Sequence, residues 1–556
     1  MDKFRCTQTA AVDITIWIII MKTLVYFSLM LTIVMQGNAT NYYVATNGND
    51  SYPGTFAQPW KTIQKAASTA SAGDTVFILG GVYRERVALE RSGAPGQFIT
   101  FTSYQQQIVT IDGAGITIPQ YSGLLDLAGQ SHIVISGLRV VNSNEAGILA
   151  DGTQHVVIER CSTYNTASSG IGVWNSADAV VRNNRIDLAC TNGMQECISI
   201  GGTATFEVYD NFVVNCKKEG ICPKDGSSNG KVYRNRIDST EHVGIYVDAW
   251  DKHTFNIDVF NNVVSNIRQK DGFMVASEQG GLLENVRLYN NISYNNGFNG
   301  IGLSSCCPGA QIHPIRNITI INNTTYNNGL SGWGGGIGIS DNPSATGIVI
   351  RNNILSQNLS FQIAVDSIVS KAELTIDHNL IDGFRNGEGE VRGTAFVEAD
   401  PQFVHAAAFD FHLKKSSPAV DAGTSLLAPL IDLDGNTRPS GKAIDIGCYE
   451  YLQATGSDDL APNEASAVYL SQNFPNPFSQ STGISYRLFA RSRVTLEVFD
   501  LFGRKVATLV DEEKEAGEHR ATFDVRKSSI DIHSGLYFLR LSTPIGSTTQ
   551  TMTLLR

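Results

Sequence analysis

The chain has 556 residues, of which 42% are hydrophobic and 17% charged, and its 42 basic and 53 acidic side chains give a formal net charge of −11. This balance disfavours a nucleic-acid-binding protein, and the composition excludes wholesale disorder and collagen. Gly is abundant, at 52 residues, and Asn is also frequent. Because both residues tolerate left-handed backbone in tight turns, the composition predicts many short strands and few long helices.

An export signal is predicted at the start of the chain. Met21-Lys22-Thr23, the apolar run from Leu24 to Val34 and the segment Gly37-Asn38-Ala39 have the charged start, apolar middle and small-residue end of a secretory signal peptide. We therefore expect residues 1–39 to be a signal peptide, with Met21 as the true start and cleavage after Ala39. Export places the mature protein outside the cytoplasm.

Eight cysteines follow the predicted signal peptide, and five of them lie between Cys161 and Cys222. In an exported protein this grouping suits one or two local disulfides. The alternative is that several of them are small, buried apolar residues. Their spacing matches no zinc-binding pattern.

A repeat dominates the middle of the chain. Runs of β-branched and aromatic residues end in an Asn every 24 to 32 residues, at Asn184, Asn211, Asn235, Asn262, Asn291, Asn323, Asn353 and Asn379. A second motif, a small residue followed by an apolar one, keeps step with the first at Gly147-Ile148, Gly170-Ile171, Cys197-Ile198, Gly220-Ile221, Gly244-Ile245, Gly272-Phe273, Gly300-Ile301 and Gly336-Ile337. The period is shorter than a propeller blade of ~40 residues.

Two or three short strands per repeat predict one coil of a parallel β-helix, with successive coils ~4.8 Å apart. In such a stack the repeated Asn residues lie above one another, so we expect a ladder of side-chain amides with a structural role. A leucine-rich repeat is disfavoured, because periodic Leu and helical segments are missing. The handedness of parallel crossovers favours a right-handed coil.

The ends of the repeat region also carry signals. The segment TIQKAASTASAGDTVFILGGVYRERV has an amphipathic pattern through Ile63, Ala66, Ala67 and Ala70, which predicts a helix that caps the open end of the stack.

The segments YYVATNGND, PGTFAQPWKTIQKA and GDTVFILGGVYRE resemble the entrance of secreted right-handed parallel β-helix proteins, many of which are polysaccharide lyases. At the other end, ADPQFV, SSPAVDAG, DLDGNTRP and DIGCYEY resemble the closing segment of such proteins.

The last ninety residues resemble a second family. SQNFPNPFSQSTGISYRL, VTLEVFDLFGRKVATL with its Gly503 turn, and SGLYFLRL are similar to the carboxy-terminal sorting domain of the type IX secretion system. The resemblance implies handling by the type IX machinery, and release or attachment at the cell surface. The alternating strands predict a small β-sandwich.

The predicted architecture is therefore all-β, a right-handed parallel β-helix followed by a small C-terminal β-sandwich. Its expected parts are a signal peptide (1–39), an N-terminal cap with the first coils (40–120), the β-helix coils (121–397), a closing segment (398–455), a linker (456–467) and the sorting domain (468–556). We expect a monomer, because capped β-helices commonly need no partner.

Candidate functional residues concentrate in three consecutive repeats, EGICPKDGSS, GIYVDAWDKH and DGFMVASEQGG. Polar residues precede the Gly-Ile strand at Ser169, Glu196, Glu219, Asp271 and Asn299 and follow it at several coils. The proposed catalytic residues are Lys224, Asp248 and Glu219. The proposed substrate-binding residues are Trp250, His253, Asp271 and Glu278, and Asp225, Asp248 and Asp251 are proposed to bind Ca²⁺.

These residue types suit β-elimination of a uronate glycan, in which a cation neutralises the substrate carboxylate and Lys224 removes the C5 proton. A second hypothesis is a glycoside hydrolase using two carboxyl groups such as Glu219 and Asp248. A third is a non-catalytic surface protein that binds glycans, its acidic residues merely capping turns. The family resemblance supports acidic-glycan chemistry in general. It assigns no catalytic residue, because no paired Asp-Asp motif of family nine lyases maps cleanly onto the sequence and the arginine signature of family one pectate lyases is not seen.

Overall fold

The computed structural model describes residues 39–305, 312–452, 468–470, 473, 478, 480–488, 491–500, 505–527, 535–544 and 546–554. The predicted linker, Cys306, Cys307, the Gly503 turn and all but the last residue of the predicted signal peptide lie outside this range. Two units are present. The first comprises the chain up to Asp400 with 426–429 and 446–448, and the second comprises 401–425, 430–445 and the chain from Tyr449 onward.

Three long parallel sheets form the first unit, and each coil contributes a strand to each sheet in turn. Sheet A contains, in spatial order, Asn41–Val44, Thr75–Ile78, Ile99–Ser103, Ile133–Ser136, Gln154–Glu159, Ala177–Arg182, Ala204–Tyr209, Ser228–Tyr233, Thr254–Phe260, Leu283–Tyr289, Ile315–Ile321, Ala345–Arg351 and Leu374–Asp377. Sheet B contains Gly81–Tyr83, Val109–Asp112, Leu138–Ser143, Ser162–Thr166, Arg185–Asp187, Phe212–Val214, Arg236–Asp238, Val263–Ser265, Ile292–Tyr294, Thr324–Tyr326, Ile354–Ser356, Leu380–Asp382 and Val397–Glu398. Sheet C contains Val87–Ala88, Gly123–Asp126, Ala146–Asp151, Ile171–Trp174, Ile198–Gly201, Ile221–Lys224, Ile245–Asp248, Phe273–Ala276, Ile301–Ser304, Ile337–Ile339 and Ile363–Val365.

The Gly-Ile motif predicted from the sequence begins the strands of sheet C. Its apolar residues pair in register from coil to coil and form one buried column, made of Ile148, Ile171, Ile198, Ile221, Ile245, Phe273, Ile301, Ile337 and Ile363. Side chains alternate across a strand, so the next residue after each of these points to the outer face of sheet C. The core therefore fixes which residues that face presents.

The predicted Asn ladder is confirmed. Each side-chain amide from Asn184 to Asn353 donates to the side-chain oxygen of the Asn one coil further on, at 2.9–3.0 Å. The same oxygen also accepts the backbone N–H of the preceding coil's Asn, as Asn262 does from Asn235 at 3.0 Å. Because these Asn residues are buried, their amides satisfy turn backbone that no water reaches.

The predicted cap is also present. The helix Ile63–Thr69 buries Ile63, Ala66 and Ala67, and the Thr62 side chain accepts the Lys65 N–H at its start. The carboxylate of Glu85 accepts the N–H groups of Ile63 and Gln64 at 2.9 and 3.0 Å, which suits the positive end of the helix dipole. Short 3₁₀ turns occur at Tyr104–Gln106, Lys371–Glu373, Ala406–Ala408 and Val525–Lys527.

The second unit is antiparallel. Phe403–His405 pairs with Asp410–Leu413 in the closing segment. Further along, one sheet contains Val468–Leu470, Ser481–Leu488 and Gly517–Asp524, and another contains Lys505–Lys514, Ser492–Asp500, Gly535–Thr543 and Gly546–Leu554. Side chains from both sheets, including Tyr486 and Leu539, share one buried cluster, as expected for a small sandwich.

Two further findings concern export and the cysteines. Within the described residues, no helix has the length and hydropathy needed to cross a membrane. The six cysteines that the structure describes are buried, and among these six no disulfide is formed.

The Asn ladder leads to a prediction about stability. Asn262→Ala removes the acceptor for both N–H groups of Asn235 and the amide that donates to Val232 and Asn291. We expect a loss of about 3 kcal/mol in the free energy of unfolding, since a buried polar group left unpaired costs roughly 1–3 kcal/mol. Urea denaturation of the β-helix measures this.

Asn256→Gly is the matched control, because Asn256 belongs to an exposed amide row and holds a left-handed φ of 56° that Gly tolerates. The added Gly by itself costs about 0.5–1 kcal/mol in conformational entropy. Beyond that cost, Asn256→Gly should lower the free energy of unfolding by less than about 1 kcal/mol. Equal losses in the two variants would contradict a special role for the buried ladder.

Candidate active site on the outer face of sheet C

The outer face of sheet C brings together the residues that follow the Gly-Ile motif. Trp174 pairs with Gly201, and Gly201 pairs with Lys224 on the next strand. Lys224 and Asp248 each lie three residues after the paired residues Ile221 and Ile245, so they occupy the same position on neighbouring strands. The row is therefore Trp174, Gly201, Lys224 and Asp248, as the sequence spacing predicts for the last two.

Lys224 is held in a defined environment at the end of its strand. Its Nζ lies 2.8 Å from Glu196 Oε1 and 3.4 Å from Gln195 Oε1, and its side chain is only 17% exposed. Burial acts to lower the pKa of Lys224, but the charge of Glu196 outweighs this effect and raises the pKa above its usual range. The ammonium form is therefore the stable one.

Trp174 completes this environment. Its ring centre lies 5.1 Å from Lys224 Nζ, within the range of a cation–π contact. Gly201 lies beneath the indole, and a Cβ at that position would collide with the six-membered ring. The glycine thus lets the indole lie flat along the row. Sequence reasoning missed the contacts that Trp174 and Gln195 make with Lys224.

The surroundings of Asp248 disfavour the ionised form of its carboxyl group. It is 2% exposed, and its Oδ1 accepts the Trp250 N–H at 2.9 Å. Burial, and then the nearby negative charges of Glu278 and Asp225, raise the pKa of Asp248 to about 8. The carboxyl is therefore protonated at neutral pH, and it has a proton to donate.

Glu278 reaches the same region from the loop after strand Phe273–Ala276. Its Oε1 accepts a hydrogen bond from the hydroxyl of Tyr246, a buried residue on the outer face one position after Ile245. Its charge acts on Asp248, as the raised pKa of Asp248 shows. Sequence reasoning missed Tyr246, although its place directly after the apolar residue of the motif marks it as outward-facing.

The structure places Glu219 among partners of its own. It is 8% exposed, and its two carboxylate oxygens lie 3.5 Å from His242 Nδ1 and 3.5 Å from Lys218 Nζ. Burial acts to raise the pKa of Glu219, but His242 and Lys218 lower it below its usual range. A buried, ionised carboxylate held between Lys218 and His242 suits an electrostatic support better than a group that exchanges protons with substrate.

Asp271 is covered by the neighbouring coil. It is buried, its Oδ1 accepts the Asn299 N–H at 3.1 Å, and a Cβ on Gly302 would lie 2.8 Å from that oxygen. Burial raises the pKa of Asp271 to about 7. The predicted substrate contact through Asp271 stays a prediction, and the observed contacts are structural.

The remaining predicted residues divide between two edges. Trp250 is 43% exposed, and its carbonyl accepts the N–H groups of Gln279 and Gly281 at 2.9 Å, so it ties two loops together beside Asp248. His253 lies at the start of a strand of sheet A, and its Nε2 is 2.9 Å from Glu284 Oε1 on the next strand. His253 therefore does not join the groups around Lys224.

The predicted calcium ligands do not form a compact site. Asp225 has a raised pKa, caused by burial and only partly offset by Lys224 and Lys252, and Asp251 is exposed. In the part of the chain that the structure describes, no three His, Cys, Asp or Glu side chains are arranged to hold a metal ion. Calcium binding stays a prediction, and we derive no chemical step through it.

Together, the outer face presents a fixed ammonium, a protonated carboxyl on the adjacent strand and a carboxylate bonded to a tyrosine. Such a set can bind an anionic group, donate a proton and accept one. The fold and the C-terminal sandwich define the class: the chain is an all-β, right-handed parallel β-helix protein with a C-terminal sorting domain, which directs export by type IX secretion to the cell surface or the extracellular space.

The family models agree with this assignment. Residues 42–191 match the Pel9A-like right-handed β-helix region, residues 190–314 match the right-handed β-helix region, and residues 472–554 match the secretion system C-terminal sorting domain. The resemblances inferred from the sequence to secreted β-helix proteins and to the sorting domain are thereby confirmed.

Two curated relatives align with part of the chain. The uncharacterized protein YwoF of Bacillus subtilis (strain 168) is 28% identical over 310 residues, covering 48% of this chain and 65% of the relative. Pectate lyase PEL9 of Emericella nidulans is 24% identical over 208 residues, covering 35% of this chain and 46% of the relative. The alignments span less than two thirds of either relative.

Among solved structures, pectate lyase Pel9A has a TM-score of 0.48 at 16% identity, covering 74% of this chain and 97% of the other. The alginate lyase from Paenibacillus sp. str. FPU-7 has a TM-score of 0.40 at 18% identity, covering 54% of this chain and 97% of the other.

The raised pKa of Asp248 predicts a pH-dependent cost of folding. The folded-state pKa of about 8 lies above the ordinary value of 3.8. The native state therefore binds this proton more tightly, and its advantage is lost as pH rises from the lower value to the higher. Asp248→Asn removes this pH dependence. Between pH 5 and pH 9, the free energy of unfolding of the variant should therefore rise by about 3–4 kcal/mol relative to that of wild type, since one pKa unit corresponds to about 1.36 kcal/mol.

Thermal denaturation of both proteins at the two pH values measures this difference. Asp251→Asn, the same substitution at an exposed position nearby, provides the control. Its free energy of unfolding should differ from that of wild type by the same amount at both pH values. A pH-independent difference for Asp248→Asn would mean that Asp248 is ionised at neutral pH and has no proton to donate.

Proposed function

We propose that the protein is an extracellular polysaccharide lyase that cleaves a uronate-containing glycan by β-elimination on the outer face of sheet C. The observation that carries the proposal is the placement of Lys224, held as an ammonium by Glu196, beside Asp248 on the neighbouring strand, whose pKa is raised to about 8. A relative named pectate lyase and a Pel9A-like family model over residues 42–191 support the same substrate class.

The reaction first needs neutralisation of the uronate carboxylate, which makes the C5 proton more acidic. Lys224 suits this step, because Glu196 keeps it as an ammonium and the low exposure of its side chain strengthens its field. Protonation of Asp248 removes one negative charge that would repel the substrate. Lys218 and Lys252 lie beside two of the other carboxylates, Glu219 and Asp225.

The C5 proton must then pass to a base. The sequence-based candidate, Lys224, would first have to give its proton to Glu196, 2.8 Å away. The second candidate is the Glu278 carboxylate, which already accepts a hydrogen bond from Tyr246. We favour Glu278, because the local charge stabilises the ammonium form of Lys224.

The electrons of the C5–H bond form the C4–C5 double bond as the C4–O bond breaks. The departing glycosidic oxygen takes the proton of Asp248, so one product carries an unsaturated uronate and the other a new hydroxyl end. The base later returns its proton to solvent, and Asp248 takes one up. A general acid of this kind contributes typically about 10²–10⁴-fold to the rate.

A glycoside hydrolase is the second candidate, and the same observation favours it. A protonated Asp248 next to Glu278 resembles an acid paired with a nucleophile or base, the two carboxyl groups that glycoside hydrolysis requires. Fold alone does not separate the two reactions. The products separate the two reactions, because only β-elimination creates a double bond.

The full exported chain should be incubated with a panel of acidic and neutral polysaccharides, with and without a chelator. A lyase gives ultraviolet absorbance from unsaturated uronates together with new reducing ends. Reducing ends without absorbance would identify a hydrolase. Neither signal on any substrate would overturn both enzymes in favour of a glycan-binding surface protein, and loss of activity on chelation would support the predicted calcium.

Variants test the assigned roles once turnover is seen. Lys224→Ala and Asp248→Asn should each lower kcat/KM by at least about 100-fold. Lys224→Arg separates the two roles of the lysine, since Arg keeps the charge but cannot accept a proton. Activity well above that of Lys224→Ala supports carboxylate binding, and equal loss in the two variants returns the base role to Lys224. The exposed Lys231→Ala, on strand Ser228–Tyr233 of sheet A, is the control.

A further inference from the structure

Three buried thiols lie beside the candidate site. Cys190, Cys197 and Cys216 are each 0% exposed, and the Sγ atoms of Cys190 and Cys197 are 3.7 Å apart. The thiol of Cys216 donates to the carbonyl of Val214 at 3.5 Å and also approaches the thiol of Cys197. The two sulfurs separated by 3.7 Å are those of Cys190 and Cys197.

The pair lies within one of the longer connections between sheets B and C. Ten residues separate strand Arg185–Asp187 of sheet B from strand Ile198–Gly201 of sheet C, whereas six residues separate the corresponding strands Phe212–Val214 and Ile221–Lys224 of the next coil. Within the longer connection, Met194 is 62% exposed. A long exposed loop gains more from a covalent restraint than a short one.

Cys197 also breaks the local rule of the repeat. The residue before the apolar residue of sheet C is Gly at 147, 170, 220, 244, 272, 300 and 336, Cys at 197 and Gln at 362. Gly is needed in neighbouring coils because a Cβ would press on side chains of sheet B, as at Gly170 against Ile186 and at Gly220 against Ile237, at 2.7 and 2.9 Å. The coil at 197 accepts a side chain at this position, and that side chain meets Cys190.

We propose that Cys190 and Cys197 form a disulfide in the exported protein, which closes the loop 190–197. Each thiol loses a proton, and the two sulfurs join with loss of two electrons. The electrons reduce the disulfide of a thiol–disulfide oxidoreductase in the export compartment, and its two thiolates take up the protons. Oxidising compartments outside the cytoplasm support such bonds.

The bond forms before the coil closes over the pair. In the folded chain both thiols are fully buried, and burial raises the pKa of Cys190 to about 11 and holds that of Cys197 well above its usual range. Thiols in this state are poor nucleophiles, since the thiolate is the reacting species. Oxidation therefore accompanies folding after export, and the finished bond resists reduction.

The disulfide has a consequence for the candidate site. The loop that it closes carries Gln195 and Glu196, the two residues whose side chains hold Lys224 Nζ. Closing the loop at its base restrains these side chains and, through them, the ammonium. The bond itself does not depend on the proposed lyase activity.

Peptide mapping tests the bond without any activity assay. The full chain is exported into an oxidising compartment, unfolded in the presence of an alkylating reagent and digested without reduction. Trypsin releases residues 186–217, which contain Cys190, Cys197 and Cys216 and no internal Lys or Arg. We expect one alkyl group, on Cys216, and a mass 2 Da below that of the singly alkylated dithiol peptide.

A second cleavage after Glu196 separates Cys190 from Cys197, so the fragments stay together only if the disulfide joins them. Cys216→Ser should leave this link intact, and Cys190→Ser should abolish it and lower the thermal midpoint of the β-helix more than Cys216→Ser does. Three alkyl groups on the wild-type peptide, or a link that includes Cys216, would overturn the proposal.

Discussion

Parallel pairing between successive coils is the constraint on which the rest of this structure depends. Each strand finds its hydrogen-bond partners only in the coils before and after it, so an error in register would displace every side chain above it. The buried Asn ladder secures that register at one corner, because each side-chain amide bonds to both the backbone and the amide of adjacent coils. The inner Ile column secures it in sheet C.

Because register is fixed, each outer position becomes a row in which neighbouring residues differ only in chemistry. Along one row of sheet C the protein uses an aromatic ring, a glycine, an ammonium and a carboxyl. The glycine matters as much as the charged groups, since Gly201 is what lets Trp174 lie along the row toward Lys224. A change of one residue in register would turn the whole set inward.

A comparison of two buried ion pairs distinguishes a structural role from a role in substrate binding. In the second unit Arg438 and Glu450 are both fully buried at 2.6 Å, and Glu450 also accepts the N–H groups of Ser440 and Asp445. Such a pair is enclosed by its partners. Lys224 is paired as closely with Glu196, yet its side chain keeps some exposure and lies beside a carboxyl that is easily protonated. A charge that is held in place but still reachable suits substrate binding.

The period of the Asn and Gly-Ile motifs, the capping helix and the terminal sandwich are local patterns, and they determined the fold and the export route from sequence alone. The same periodicity placed Lys224 and Asp248 side by side, because residues at one offset from a repeated motif must stack. Only the tertiary structure decided which predicted groups lie together. It paired Lys224 with Glu196 from a loop of irregular length, brought Tyr246 to Glu278, buried Asp271 under the next coil and left His253 on sheet A. Loop paths and side-chain burial depend on neighbouring coils, and no repeat period encodes them.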